Sequence, residues 1–397
     1  MGEMFGLAKK DTPFGVIIDV HSGSVGMAIV HSEPGMDLPQ VLYAHREYLK
    51  IGEHPDTSAL IRALRQALFS ASLQLASEGM AALKTFDPKG SLGRVLLVCG
   101  APWANTVTRF IHVEDKEPFL VTQERVRTLI EEAERRDETE LKTASLLREL
   151  NIGLVERAIV NTALNGYPTH DPYGKKGTEL SLAHISGLVP QAIIDTATEI
   201  EDKILPDTVR TSHTFALVLF CVMRDLYPDT HHGLFMDISG EATELCLMQD
   251  EVLMETCVFP FGTHTFLRLL ASELNTFPDE ALTHMREFGQ ATPESIKLAV
   301  AKVSEQYVTS LAEAIGLLEE RYSIPSHIFL STSRGLHTHF DTLIRQAVEK
   351  YIGAHGTFLS LNTDLIAPQQ DALKTNDIFF YLEARFFHKL HACGDVT

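Results

Sequence analysis

Two short stretches carry side chains spaced for anion and cation chemistry. In the first, the apolar run Val16-Ile17-Ile18 ends at Asp19, then Val20-His21-Ser22-Gly23-Ser24 turns, and Val25 to Val30 leads away. In the second, Leu234 to Met236 ends at Asp237, Ile238-Ser239-Gly240-Glu241-Ala242-Thr243 turns, and Leu245 to Met248 follows. A tight turn of Gly and Ser between strands aims several backbone N–H groups at one point, an anion nest suited to phosphate. An Asp at the strand end can hold Mg²⁺ through water, because that ion usually keeps several waters. Two such turns could clamp the β- and γ-phosphates of a ligand between two lobes. The candidate phosphate-binding residues are Asp19, Ser22, Gly23, Ser24, Asp237, Gly240 and Thr243, with Asp19 and Asp237 as candidate Mg²⁺ holders. Catalysis at such a site is mostly positioning and charge stabilisation. The competing reading is a pair of ordinary hairpins, each ending a strand at an acid.

Other chemistry finds little support. Gly174-Lys175-Lys176 lacks the upstream glycine and the following Ser or Thr of a Walker loop. No GxSxG elbow is present. His231-His232 and His337/His339 have no companion Cys or acid cluster and read as turn histidines. The 397 residues, 45% hydrophobic and 22% charged, suit a multidomain globular chain with a large core. Fifty-three acids against 34 bases leave a net charge of −19, which repels a duplex or an anionic membrane surface. The longest apolar run, Phe215 to Met223, falls short of the roughly 20 residues that span a bilayer. Met1 to Phe14 holds no apolar signal core. Cys99, Cys221, Cys246, Cys257 and Cys393 form no CxxC pair and read as reduced thiols of a cytoplasmic protein.

The elements that must position the two turns follow from periodicity. Residues 14–51 read as a strand hairpin and a third strand; 57–83 read as a helix capped by Asp56 or Thr57. Arg94 to Cys99 is an apolar strand of the type buried in mid-sheet. Residues 105–204 read as a small α+β domain: strand Thr106–Val113, a charged helix from Thr122 to about Glu149, strands Leu154–Leu164 and Thr178–Gly187, and helix 190–204. Thr208 to Tyr227 is expected to be one apolar helix. Helices are expected from Phe261 to Leu274, over 279–288 and 293–321, and from Thr338 to Lys350; strands over Ser326–Ser331 and Phe358–Leu361; and a last apolar helix, Ile378–His391, capped by Asn376. That last helix is apolar nearly all round, as a buried helix is, with a membrane-surface role as the alternative.

The order of these parts resembles the actin-like ATPases, in the branch of the cell-division protein FtsA and the pilus-assembly protein PilM. The resemblance rests on the two hairpins and on Tyr167, Asp171-Pro172-Tyr173-Gly174, Glu179-Leu180 and His184-Ile185-Ser186-Gly187 between them. Phe259-Pro260-Phe261-Gly262 after the second hairpin adds to it. It implies an α/β, actin-like (ribonuclease H-like) two-lobed fold with an inserted small α+β (SHS2-like) domain. The first lobe would be 14–104 plus 205–232, the insert 105–204, the second lobe 233–275 plus 325–391, and its small helical subdomain 276–324. It also implies ATP and Mg as cofactors and an adenosine loop at Ser331-Thr332-Ser333-Arg334-Gly335, which adds Gly335 to the nucleotide-site candidates. The sequence departs from the pattern at His21, Ser239 and Glu241, where glycines are expected, at Gly26, where a phosphate-contacting Lys is common, and at Thr211, where a water-positioning Glu falls. The implied function is an FtsA-like scaffold with little or no hydrolysis, binding a protein partner through the insert and self-associating. The alternatives are a PilM-like cytoplasmic adaptor of pilus assembly, docked at the membrane through its partner, an active ATPase or kinase, and an unrelated α+β protein.

Overall fold

A computed structural model describes residues 12–52, 56–141, 151–206, 208–332, 336–353, 355–361, 365 and 375–393, with the side chains of 136–141, 350, 392 and 393 excepted. Two five-stranded sheets carry the molecule, and they share one plan. In the first, β1 (Phe14–Val20), β2 (Ser24–His31) and β3 (Gln40–Tyr48) form an antiparallel meander. β4 (Leu92–Cys99) then pairs parallel to β1, β9 (Val209–Thr214) pairs parallel to β4, and the order is β3-β2-β1-β4-β9. In the second, β10 (Gly233–Ile238), β11 (Thr243–Gln249) and β12 (Val252–Phe259) repeat the meander. There β13 (His327–Thr332) and β14 (Thr357–Ser360) add in parallel, giving β12-β11-β10-β13-β14. The acid-ended hairpins are therefore equivalent corners of two equivalent sheets.

Helices fill three layers around these sheets. The outer face of the first sheet packs on α1 (Thr57–Gln74), α2 (Met80–Phe86) and α4 (Gln191–Ile204). A π-helical turn, Leu75–Gly79, joins α1 to α2, so the expected single helix is present with one bulge. The outer face of the second sheet packs on α6 (Thr263–Leu274), α7 (Pro278–Arg286), α8 (Glu294–Glu319) and α9 (His337–Ile352). Between the sheets lie α5 (Phe215–Leu226) and α10 (Ile378–His388). Both are mostly apolar because both are buried in the core between the sheets. α10, placed in the second lobe from sequence order, packs against α5 and the first sheet. Ring atoms of Phe387 and Phe380 fill the places that a Cβ at Gly15 and Gly26 would take.

Residues 105–204 carry a sheet of their own, β5-β8-β6-β7, from β5 (Asn105–Leu120), β6 (Ile152–Leu164), β7 (Tyr167–Pro168) and β8 (Lys176–Pro190). α3 (Gln123–Leu141) covers one face. Ala158, Val160, Ala183 and Ile185 on the other face join the core between the lobes.

Two sequence expectations need correction. Thr208–Tyr227 is not one helix: Val209–Thr214 is strand β9, paired parallel to β4, and the helix begins at Phe215. The Val-Arg-Thr-Ser-His-Thr run is rich in β-branched residues and completes the sheet edge, a tertiary gain that outweighs apolar continuity. The cap of α10 is Asp377, not Asn376: its carboxylate accepts from the N–H groups of Phe379 (3.0 Å) and Phe380 (3.5 Å). An acid there also gains from the helix dipole.

Candidate functional site

The two turns meet at the centre of the molecule. β1 and β10 are central strands whose apolar residues are buried on both faces, so Asp19 and Asp237 leave them already out of water, at 0% and 1% exposure. His21, Ser22, Ser24, Ser239 and Thr243 are buried with them. Such groups need partners, because an unpaired buried polar group costs about 1–3 kcal/mol.

Asp19 finds two. His21 Nδ1 donates to one oxygen (2.6 Å) and Arg46, from β3, donates to the other (2.6 Å). Arg46 also bonds Ser24 Oγ (3.0 Å) and both oxygens of Asp377 (2.6 and 3.2 Å), and it lies 4.9 Å from the ring centres of Phe379 and Phe380. Burial would raise the Asp19 carboxyl, but His21 and Arg46 outweigh it and hold the acid low. Across the cleft, Asp237 accepts from Ser331 Oγ (2.5 Å), and its other oxygen faces His21 Nε2 at 3.6 Å. Burial pushes Asp237 up. Glu244, on β11, is pushed up to about 8, by burial first and then by Asp237. Glu383 of α10 is raised well above its ordinary value, by burial and then by Asp19.

The imidazole of His21 sits in a slot. Phe215 and Phe379 flank it at 4.9 and 4.7 Å, and a Cβ on Gly100 would stand 2.4 Å from the ring. Gly100 follows β4, so a residue without a side chain is what admits His21.

The turns touch each other. A Cβ on Gly240 would lie 2.6 Å from Gly23 Cα and 2.9 Å from the Ser22 carbonyl carbon. Ser22 Oγ and Ser239 Oγ are 2.9 Å apart, and the Glu241 N–H donates to Ser22 Oγ (2.9 Å). Ser239 directs its single proton to the carbonyls of Ala101 (2.9 Å) and Ala242 (3.0 Å), so Ser22 is the donor of the pair. Thr243 Oγ1 donates to Phe261 O (2.7 Å) and accepts from Tyr307 (3.0 Å).

Of the residues singled out from sequence, Asp19, Ser22, Gly23, Ser24, Asp237 and Gly240 come together, whereas the Thr243 hydroxyl is held by Phe261 and Tyr307 on the outer side of the second sheet. Gly335 lies outside the described residues together with Ser333 and Arg334. Glu241 turns away from the cleft: Arg268 holds both its oxygens (3.0 and 2.5 Å) and His264 stands 3.3 Å off. Against burial, His264 and Arg268 bring its carboxyl down to about 2. Thr211 lies on β9 with its hydroxyl 3.4 Å from Val95 O. Sequence reasoning missed Arg46, Gly100, Asp377 and Glu383. A charge inside the alternating strand 41–49 and a glycine closing the apolar strand 94–99 were the available signals.

A second buried polar group links the insert to the lobes. Glu156 of β6 accepts from Thr214 Oγ1 (2.5 Å), Thr214 N (3.2 Å) and His213 Nδ1 (2.9 Å). Thr106 of β5 donates to Thr214 Oγ1 (2.8 Å), and its carbonyl accepts from Thr256 of β12 (2.7 Å).

No family model matches the chain, and no curated protein matches it. Solved structures do. The PilM–PilN type IV pilus biogenesis complex contains a chain 14% identical, with 97% of this chain and 98% of that one covered at a TM-score of 0.57. A Bacteroides thetaiotaomicron protein with an actin-like ATPase fold and unknown function is 12% identical, with 96% and 98% covered at 0.45. The ethanolamine utilization protein EutJ from Carboxydothermus hydrogenoformans is 12% identical, with 89% and 86% covered at 0.43. The duplicated sheet plan, the helices between the sheets and the first of these likenesses agree: this chain has the actin-like ATPase fold.

Proposed function

Starting from the actin-like ATPase fold, we propose that this protein is an adaptor that grips an extended segment of a protein partner beside its inserted domain. The observation that carries this reading is a groove of about 490 Å³ along β6. Ile159, Asn161 and Thr162 form one wall; Arg224 at the end of α5 and Glu251 in the β11–β12 turn form the other. β6 pairs with β8 along its length but with β7 only at Ala163 and Leu164. Among the described residues, 152–161 thus have a strand on one side alone, which leaves backbone groups for a guest strand. No described helix is long and apolar enough to cross a membrane, so a membrane role would come through the partner.

Of the two adaptor roles, we place the pilus-assembly type ahead of the division-scaffold type, because a full-length likeness with a TM-score of 0.57 is to a chain of the PilM–PilN complex. The test is fluorescence anisotropy with labelled peptides tiling the PilN-type protein of the same organism. One peptide should bind at about 10 µM or tighter. Asn161→Trp, an exposed change that fills the groove, should weaken it by about tenfold or more. Absence of binding for every peptide at about 1 mM sinks the pilus-assembly reading. Concentration-dependent polymers in sedimentation would then favour the division-type scaffold.

A further inference from the structure

The cleft between the lobes is where the fold would hold a nucleoside triphosphate and its cation, and the side chains there already complete one another. A phosphate gripped from both sides needs about 2.9 Å to the donors of each turn, so the facing backbones must stand roughly 5 Å or more apart. Gly23 and Gly240 instead meet at van der Waals contact with nothing between them. Three N–H groups of the two turns are already taken. Glu241 N–H goes to Ser22 Oγ, Ser239 N–H to Ala242 O, and His21 N–H to Ser24 O. Each oxygen of the Asp19 carboxylate, the candidate holder of a cation, already accepts a charge-assisted hydrogen bond of 2.6 Å, one from an imidazole and one from a guanidinium.

We propose that this cleft does not take a nucleoside triphosphate, and that the chain's own side chains hold its lobes shut. Arg46 and His21 stand in place of the cation, and the Ser22–Ser239–Glu241 hydrogen bonds stand in place of the phosphates. Three departures from the motif then have one cause. His21 bridges towards Asp237 and is admitted by Gly100; Ser239 supplies the partner for Ser22; Glu241 is drawn off by Arg268, which presents its N–H to Ser22. Closure is thereby built into the sequence and does not depend on a ligand. The adaptor reading is separate: its groove lies along β6, and peptide binding there succeeds or fails whatever the cleft holds.

Two measurements on the full chain decide it. Calorimetric titration with Mg-ATP and with Mg-GTP should show no saturable heat up to about 1 mM; a Kd below that for either nucleotide overturns the proposal. Amide exchange followed by NMR or mass spectrometry should show Glu241 N–H protected at least about 100-fold without nucleotide, and unchanged when it is added. Protection that appears only with nucleotide overturns it too. The double change Ser22→Ala, Ser239→Ala removes the hydroxyl seam and keeps the glycines. It should lower Glu241 protection about tenfold or more while the β10–β11 amides stay protected, whereas unchanged Glu241 protection refutes the seam.

Discussion

A buried carboxyl shows its cost in the pH at which it ionises. Glu244 is 2% exposed, and burial, then Asp237, pushes its pKa up to about 8. In the unfolded chain it titrates near the ordinary value of about 4.3. The folded form holds the proton that the unfolded form has lost, so its contribution is fully present below about pH 4.3 and declines as pH rises towards 8. Glu244→Gln keeps the shape and removes that slope. The variant should gain on the parent as pH goes from 5 to 8, which paired thermal melts at the two pH values will show; a difference that stays constant would mean Glu244 does not titrate there. The same logic explains what sequence could and could not reveal about the site. Asp19 and Asp237 end apolar strands, a pattern visible in one dimension. Their partners are not visible that way, because Arg46 lies a strand away and Asp377 at the far end of the chain.

At the scale of elements, the two central helices determine how closely the lobes approach. α10 lies on the first sheet only because Gly15 and Gly26 leave room for Phe387 and Phe380. A Cβ at position 15 would fall 2.2 Å from the Phe387 ring, which is 1% exposed and has nowhere to move. Gly15→Ala should therefore destabilise the protein by about 1–3 kcal/mol, the usual cost of overpacking a filled core. Phe387→Leu in the same chain should recover part of that loss. Denaturant unfolding of the single and double variants measures both, and additive effects would place the clash elsewhere. Element types were mostly legible, since strands β1, β4 and β10 and helices α1, α6, α8 and α9 announce themselves by period. The β9–α5 boundary was not. Thr208 to Tyr227 is apolar enough to pass for one helix, and only the vacant edge of β4 assigns its first part to the sheet.

For the whole molecule, the question is how the insert and two lobes hold together. Glu156 draws Thr214 and His213 of the first lobe to the insert, and Thr106 passes the connection to Thr256 of the second. Removing the acceptor leaves buried donors unmet, each at about 1–3 kcal/mol. Glu156→Ala should cost about 3 kcal/mol or more in denaturant and speed amide exchange in β6 and β8 more than in β10. Equal loosening of all three would make the link a part of the general core. By itself the sequence determined the fold class, the paired acid-ended turns and the strands between them that form a sheet of their own, because each is a local pattern of apolar period, turn residues and order along the chain. Tertiary structure decided the rest: that α10 packs on the first sheet, that Glu241 faces Arg268, and that the two turns touch. Those outcomes depend on which distant side chains reach the same buried point. A buried charge is stable only beside partners that chain order does not disclose.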